Sequence, residues 1–251
     1  MRRAALYVQG RIVVADSHLA AFQALTIEER NEYIVSGSFD ESTGEFDSDL
    51  AKDHFYNKEM YLIRHGEVVD QEDPDPPLSE NGHEQARQVA EQLKEKDLSD
   101  FQCFASPLLR CLQTAEIFAE LCDVDVHIDL ALMETPHFLA KNQSFYLKNR
   151  QQYFPKFNWP TTHDWLIPPE SASKFATRSR NVLQRLPSKS ILFSHFGIIV
   201  NIATMALCDE KAMESGVPTA SVTYIENQQM KCLGQTYRAM EGPTNETNSQ
   251  D

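Results

Sequence analysis

The sequence predicts a three-layer α/β/α fold around a mainly parallel central sheet. Two observations lead there. From Met60 onward, apolar runs of strand length alternate with longer amphipathic stretches whose apolar residues recur at helical spacing. Helix-start residues, Ser79 and Pro107, stand at the openings of two such stretches. The 251 residues, 41% of them hydrophobic, can fill one large core without disulfides or metals to staple it.

Met60 to Ile63 reads as the first strand. Ser79 then caps a helix that turns Ala86, Val89, Ala90 and Leu93 inward beneath a polar outer face. Phe101 to Ala105 forms a second strand, and Pro107 opens a helix through about Leu121 with Leu108, Leu112, Ala115 and Phe118 inward. Val124 to Ile128 makes a third strand. A helix over Ser171 to Leu186 feeds Ser190 to Phe193 as the fourth strand, which runs directly into a helix over Gly197 to Leu207. Val222 to Ile225 and Met230 to Leu233 close the chain as a pair of short strands.

Three regions fall outside this rhythm. Residues 1–59 carry a hairpin signal at Gln9-Gly10, a helical stretch near Ile27 to Tyr33 and acidic residues Asp40, Glu41, Glu45, Asp47, Asp49 and Asp53. They read as an N-terminal extension of unknown role, a solvated spacer or small appendage. Residues 135–169 insert Phe138, Phe145, Tyr146, Tyr153, Phe154, Phe157, Trp159 and Trp165 among prolines, long enough for a lid and more consistent with a lid core than with a substrate platform. Residues 236–251 read as a polar, disordered tail.

Charge narrows the partners. Lys and Arg total 23 against 37 Asp and Glu, a net charge of -14, and such a field repels nucleic-acid phosphates and anionic lipid. No run of about 18 apolar residues suggests a membrane span. Cys103, Cys111, Cys122, Cys208 and Cys232 are odd in number and widely spaced, which reads as reduced thiols rather than a disulfide framework or zinc site. The expectation is a cytoplasmic protein that binds neither nucleic acid nor membrane; its oligomeric state is not legible. An anionic substrate would need a local cluster of Arg or His to overcome the overall field.

Such a cluster exists where ligands of open parallel sheets bind, outside the carboxyl ends of the strands. Arg64 and His65 follow the first strand, Ser106 and Arg110 the second, Glu134 the third and His195 the fourth. Two guanidinium groups and two imidazoles crowd together most readily around an anion, and a phosphoryl group fits them: Arg grips its oxygens, while imidazole either donates to them or attacks phosphorus. Gly66 leaves room for backbone to approach a ligand, and helix N-termini near Pro107 and Gly197 would add positive potential. His18, His54, His83, His127, His137 and His163 show no metal-ligand spacing.

Four segments carry a resemblance. Arg64-His65-Gly66-Glu67, Leu78-Ser79-Glu80-Asn81-Gly82-His83-Glu84-Gln85-Ala86, Ser106-Pro107-Leu108-Leu109-Arg110-Cys111-Leu112-Gln113-Thr114-Ala115 and Ser194-His195-Phe196-Gly197 resemble the histidine phosphatase superfamily, in its phosphoglycerate-mutase-like branch 1. The resemblance spans about Met60 to Leu233, so residues 60–235 are expected to form a histidine phosphatase domain. It implies a phosphohistidine on His65, phosphate held by Arg64, Arg110 and His195, and Glu134 as the general acid, with neither metal nor other cofactor. Glu67, Glu170 and Asp70 are the other carboxylates that could serve as the acid.

Mutases of this family follow Arg-His-Gly-Glu with Ser and a nearby Trp-Asn, and their acid with Arg, Tyr and Gly. This chain has Val68-Val69-Asp70 and Thr135-Pro136-His137. The expected activity is therefore hydrolysis of phosphate monoesters, on a small molecule or a phosphoprotein. A phosphoglycerate-type mutase and a catalytically weak phosphate-binding scaffold are the alternatives. The acidic stretch Asp70 to Asp75 is expected to disfavour a second anionic group on the substrate, and Phe196, where relatives carry Gly or Ser, to reshape the pocket.

Overall fold

The computed structural model describes residues 2–8, 11–16, 20–21, 24–26, 29, 35–47, 58–69, 73, 75–134, 150–160, 170, 172–207, 216–226 and 229–236. Near the N-terminus, β1 (Arg2–Val8), β2 (Arg11–Ala15), β3 (Val35–Asp40) and β4 (Glu45–Asp47) form an antiparallel sheet in the order β2-β1-β3-β4. The hairpin signal at Gln9-Gly10 matches the pairing of Val8 with Arg11. Leu6, Val8 and Val13 project from this sheet onto Ala21 and Leu25. The region is thus a folded sheet with its own small core, not a spacer. Thr26 and Glu29 exchange side-chain-to-backbone hydrogen bonds as a capping box does, 2.8 and 3.2 Å long. The helical expectation over Ile27 to Tyr33 lies almost wholly outside the described residues, as do Asp49 and Asp53.

The central sheet follows. Its elements are β5 (Glu59–Arg64), α1 (Glu80–Lys94), β6 (Gln102–Ala105), α2 (Leu109–Cys122), β7 (Val126–Ile128), a 3₁₀ turn (Leu130–Leu132), α3 (Ala172–Arg185), β8 (Lys189–Ser194), α4 (Phe196–Leu207), β9 (Val222–Glu226) and β10 (Gln229–Gln235). The strand order is β10-β9-β5-β8-β6-β7: β5, β8, β6 and β7 run parallel, and β9 and β10 add an antiparallel edge.

Alternating residues of the parallel strands separate the two cores, because successive side chains point to opposite faces. Tyr61, Ile63, Cys103, Ala105, Ile191 and Phe193 meet Val89, Ala90 and Leu93 of α1 and Leu112, Ala115 and Phe118 of α2. On the opposite face, Met60, Leu62, Phe104 and Leu192 meet Val182, Leu183 and Leu186 of α3 and its flank, with Ile198, Ile199 and Ile202 of α4. Helices cover both faces, as the alternation of patterns predicts.

Ser79 caps α1, its hydroxyl accepting from the Gly82 N–H at 3.0 Å. Helix α2 starts later than Pro107 suggests. Leu108 is its extended N-cap residue without a side-chain cap, so Arg110 is the second helical residue. In residues 135–169, the described stretch 150–160 is fixed to the sheet rather than poised as a lid. Phe154 and Phe157 are buried in the α1/α2 core with Trp159 against it, and Asn158 bonds to Val126 and Ile128 of β7 through its backbone. Phe138, Phe145, Tyr146 and Trp165 lie outside the described residues, as does the tail expected from 236 on, apart from Thr236 itself. Among the described residues, no helix is long and apolar enough to cross a membrane.

Candidate active site

The register brings three strand ends level: Arg64 pairs with Ser194 and Ala105 with Phe193. The residues leaving β5, β8 and β6 therefore emerge side by side, and these are His65, His195 and Ser106. The chain leaves β5 along one face through α1 and α2, and returns to β8 along the other through α3. This change of direction opens a crevice at the carboxyl ends of the strands.

His65 is held from several directions. Its backbone N–H donates to the Ser194 carbonyl at 3.1 Å, and its own carbonyl accepts from Ala220 at 2.9 Å. The side-chain Nδ1 lies 2.8 Å from the Gly66 carbonyl, a group that only accepts, so Nδ1 carries the proton and Nε2 keeps its lone pair. Burial, then the Arg110 charge, pushes the imidazole down to about 3, only partly opposed by the Gly66 hydrogen bond. The ring is therefore neutral at physiological pH.

His195 stands opposite, its ring centre 5.4 Å from that of His65. Its Nε2 meets the Ser106 hydroxyl at 2.8 Å and the Cys111 sulfur at 3.4 Å, and its carbonyl accepts from Ile199 at the start of α4. Complete burial, followed by Arg110 and His65, holds this imidazole well below its ordinary value.

The two guanidinium groups have incomplete hydrogen bonding. Arg64 donates through one terminal nitrogen to the Val217 carbonyl at 2.5 Å, yet its buried Nε has no partner. Nη1 of Arg110 is likewise buried and unpartnered; its nearest carboxylate oxygen, on Asp75, lies 3.8 Å away. Burial lowers Arg64, Glu134 opposes that shift and Arg110 adds to it, so both neighbours are within electrostatic reach. Two neutral imidazoles facing cationic N–H groups that lack acceptors form a site short of negative charge.

Glu134 borders this site. Its Oε2 accepts from the Gly197 N–H at 2.9 Å, at the first turn of α4. A Cβ on Gly197 would lie 2.6 Å from Glu134 Oε1 and 3.0 Å from the Phe175 ring, so glycine leaves the space that the carboxylate uses. The segment carrying Glu134 is clamped from behind. Arg178 of α3, buried, donates at 2.7 Å to the carbonyls of both Ala131 and Met133, and its other nitrogens form a buried pair with Glu170. The Ser194 hydroxyl donates to the Leu132 carbonyl at 2.7 Å, tying the same turn to β8.

Several expectations change here. Glu67 is exposed and bonded to the Ser79 hydroxyl and the Asn81 amide at 2.7 and 3.0 Å, so it braces the α1 N-terminus rather than facing the site. Glu170 is engaged by Arg178, which removes it as an acid. Asp75 does not repel ligands: it is buried, accepts from the Leu109 N–H at 2.7 Å and pairs with Arg150 at 3.0 Å. Asp70 is outside the described residues. Gly66 makes room for a helix rather than for a ligand, since a Cβ there would lie 2.4 Å from the Gly82 carbonyl oxygen. At the two helix N-termini, N–H groups are already taken by the carboxylates of Asp75 and Glu134.

Sequence reasoning missed Arg150 and Arg178 as parts of the site's frame and read Asp75 only as part of an acidic stretch. Ser106 was placed at its strand end without a role; here it meets His195. Cys103, Cys111, Cys122 and Cys232 are free thiols, and Cys208 lies outside the described residues.

Fold and site together define an α/β protein that gathers two Arg and two His at the carboxyl ends of its parallel strands. The family model described as the histidine phosphatase superfamily (branch 1) matches residues 60–238, and the chain belongs to that superfamily. It is 33% identical over 150 residues to "Probable phosphoglycerate mutase GpmB" of Enterobacter sp. (strain 638), covering 55% of this chain and 69% of that one. It is 27% identical to "Probable phosphatase SPAC513.02" of Schizosaccharomyces pombe over 139 residues, 51% of this chain and 64% of that one. Among solved structures, mycobacterial glucosyl-3-phosphoglycerate phosphatase shares the fold, with a TM-score of 0.51, 20% identity, and coverage of 71% of this chain and 99% of that one.

Proposed function

We propose that this protein is a metal-independent phosphatase that hydrolyses phosphate monoesters through a phosphohistidine on His65. The observation that carries this reading is the pair of buried, unpartnered guanidinium N–H groups, on Arg64 and Arg110, beside a neutral His65 whose Nε2 is unprotonated. A phosphoryl group supplies the missing acceptors.

In the first step Nε2 of His65 attacks phosphorus and the bond from phosphorus to the ester oxygen breaks. Glu134 gives its proton to that oxygen. Arg64, Arg110 and His195 hold the phosphoryl oxygens as charge builds on them. In the second step the Glu134 carboxylate takes a proton from water, the resulting hydroxide attacks phosphorus, and the N–P bond breaks to release phosphate and neutral His65. The tautomer needed for attack is the one that the Gly66 carbonyl already selects.

Water is favoured as the acceptor because this chain has Val68-Val69-Asp70 where mutases of the family carry Ser and a nearby Trp-Asn, and Thr135-Pro136-His137 where they carry Arg, Tyr and Gly. A mutase reading draws on the named relatives. The free cysteines support a reducing, cytoplasmic setting. The substrate is a phosphorylated small molecule or phosphoprotein.

The test is hydrolysis of para-nitrophenyl phosphate with EDTA present, by wild type and His65→Ala. We expect turnover by wild type and a loss of more than about a thousandfold in the variant. Turnover that survives the substitution would refute the phosphohistidine. Inactivity of both proteins with the fold intact would favour a narrow mutase or a phosphate-binding scaffold.

A further inference from the structure

Resting on the reading of this crevice as a phosphate site, we infer that Phe196 is its specificity-determining residue and that it selects phosphate monoesters with an aromatic leaving group. Phe196 occupies the one position between the two groups that bracket the reacting atoms. The preceding residue is His195, beside His65; the following residue is Gly197, whose N–H holds the Glu134 carboxylate. A leaving oxygen protonated by Glu134 departs past this point.

The side chain there is a phenyl ring that stays 42% exposed, although it begins a helix whose Ile198 and Ile199 are fully buried. The guanidinium carbon of Arg64 lies over that ring, 5.6 Å from its centre. The contact holds the ring against the cation that would grip phosphate and leaves aromatic surface accessible. An exposed aromatic ring gains by stacking a second flat, apolar group against it.

The surrounding rim agrees with this choice. Among the described residues of the α/β region, the large apolar side chains left exposed are Val69, Tyr153 and Phe196. Two of them stand close to the ends of the strands that lead to the histidines: Val69 in the connection after β5, and Phe196 at the start of α4, two residues after β8 ends. A third guanidinium near this rim, Arg150, is already paired with Asp75. Val69 and Phe196 thus leave apolar surface on the segments that follow His65 and His195.

The experiment compares binding of phenylphosphonate and methylphosphonate, which cannot be hydrolysed, by titration calorimetry with wild type, Phe196→Ser and Phe196→Tyr. Circular dichroism on each variant checks that the fold is kept. Wild type should bind phenylphosphonate about tenfold more tightly than methylphosphonate. Phe196→Tyr should keep that ratio, and Phe196→Ser should bring it close to one. A wild-type ratio near one, or a ratio unchanged by Phe196→Ser, overturns the aromatic preference while leaving the phosphate site standing. Binding of neither phosphonate by wild type overturns the phosphate site itself, and this inference with it.

Discussion

Arg178 and Arg110 are both drawn in from solvent, but their surroundings could hardly differ more. Arg178 lies behind the site, between α3 and the 3₁₀ turn, with its charge met by Glu170 and its remaining N–H groups by two backbone carbonyls. Arg110 lies at the carboxyl ends of the strands with a buried N–H that makes no hydrogen bond, the Asp75 carboxylate standing 3.8 Å away. One arginine finishes the fold; under the proposed function the other binds phosphate. Residue type and burial do not separate the two roles; the state of the hydrogen bonds does.

Substitution should pull the two apart. Arg110→Met removes a guanidinium whose buried Nη1 makes no hydrogen bond, and Asp75 keeps its pair with Arg150, so it should lower kcat/KM on para-nitrophenyl phosphate by about 10²–10³ at only a small cost in Tm. Arg178→Met leaves Glu170 buried without a counter-charge and frees two carbonyls, which should cost about 3–5 kcal/mol of stability. Urea unfolding together with steady-state kinetics reads both effects. A Tm loss for Arg110→Met as large as that for Arg178→Met, or an unaltered Tm for Arg178→Met, would break the distinction.

Glu134 sharpens it, because its role depends on the leaving group rather than on phosphate. Glu134→Gln should reduce turnover of an alkyl phosphate by about 10² or more, and turnover of para-nitrophenyl phosphate by only a few-fold, since nitrophenolate leaves without a proton. Equal losses on both esters would remove Glu134 as the acid.

A smaller effect follows from the two imidazoles. His65 titrates near 3 in the folded chain against 6.5 ordinarily, and His195 is also well below that value. Both bind a proton far more readily when unfolded. Stability from their neutral burial is complete above about pH 6.5 and declines as pH falls toward 3. Each contributes a slope of up to about 1.4 kcal/mol per pH unit. His65→Asn should make the acid side of a Tm-versus-pH curve shallower by up to one proton, and an unchanged slope would show that His65 is not held neutral.

Much of this was legible in the sequence because the signals are local. A strand end followed by Arg64-His65 or by Ser194-His195 places a side chain at the crevice whatever the rest of the chain does, and the periodicity of α1 and α2 named their buried residues correctly. The supporting frame was not legible, because it is made by contacts between distant segments. Nothing near Asp75 in sequence announces Arg150, 75 positions on, and Arg178 reaches carbonyls 45 and 47 residues before it. Glu67 and Glu170 had the right chemistry for an acid and were spent on helix and turn bracing instead. Of the N-terminal sheet only the hairpin at Gln9-Gly10 was legible, because the acidic residues around β3 and β4 suggested solvent rather than pairing.

The central claim is that phosphate passes through His65. Wild type mixed with para-nitrophenyl phosphate, quenched within milliseconds in alkali to preserve an N–P bond and digested for mass spectrometry, should yield a phosphorylated peptide containing His65 that disappears on brief acid treatment. Rapid hydrolysis with no phosphate on that peptide at any quench time would contradict the account.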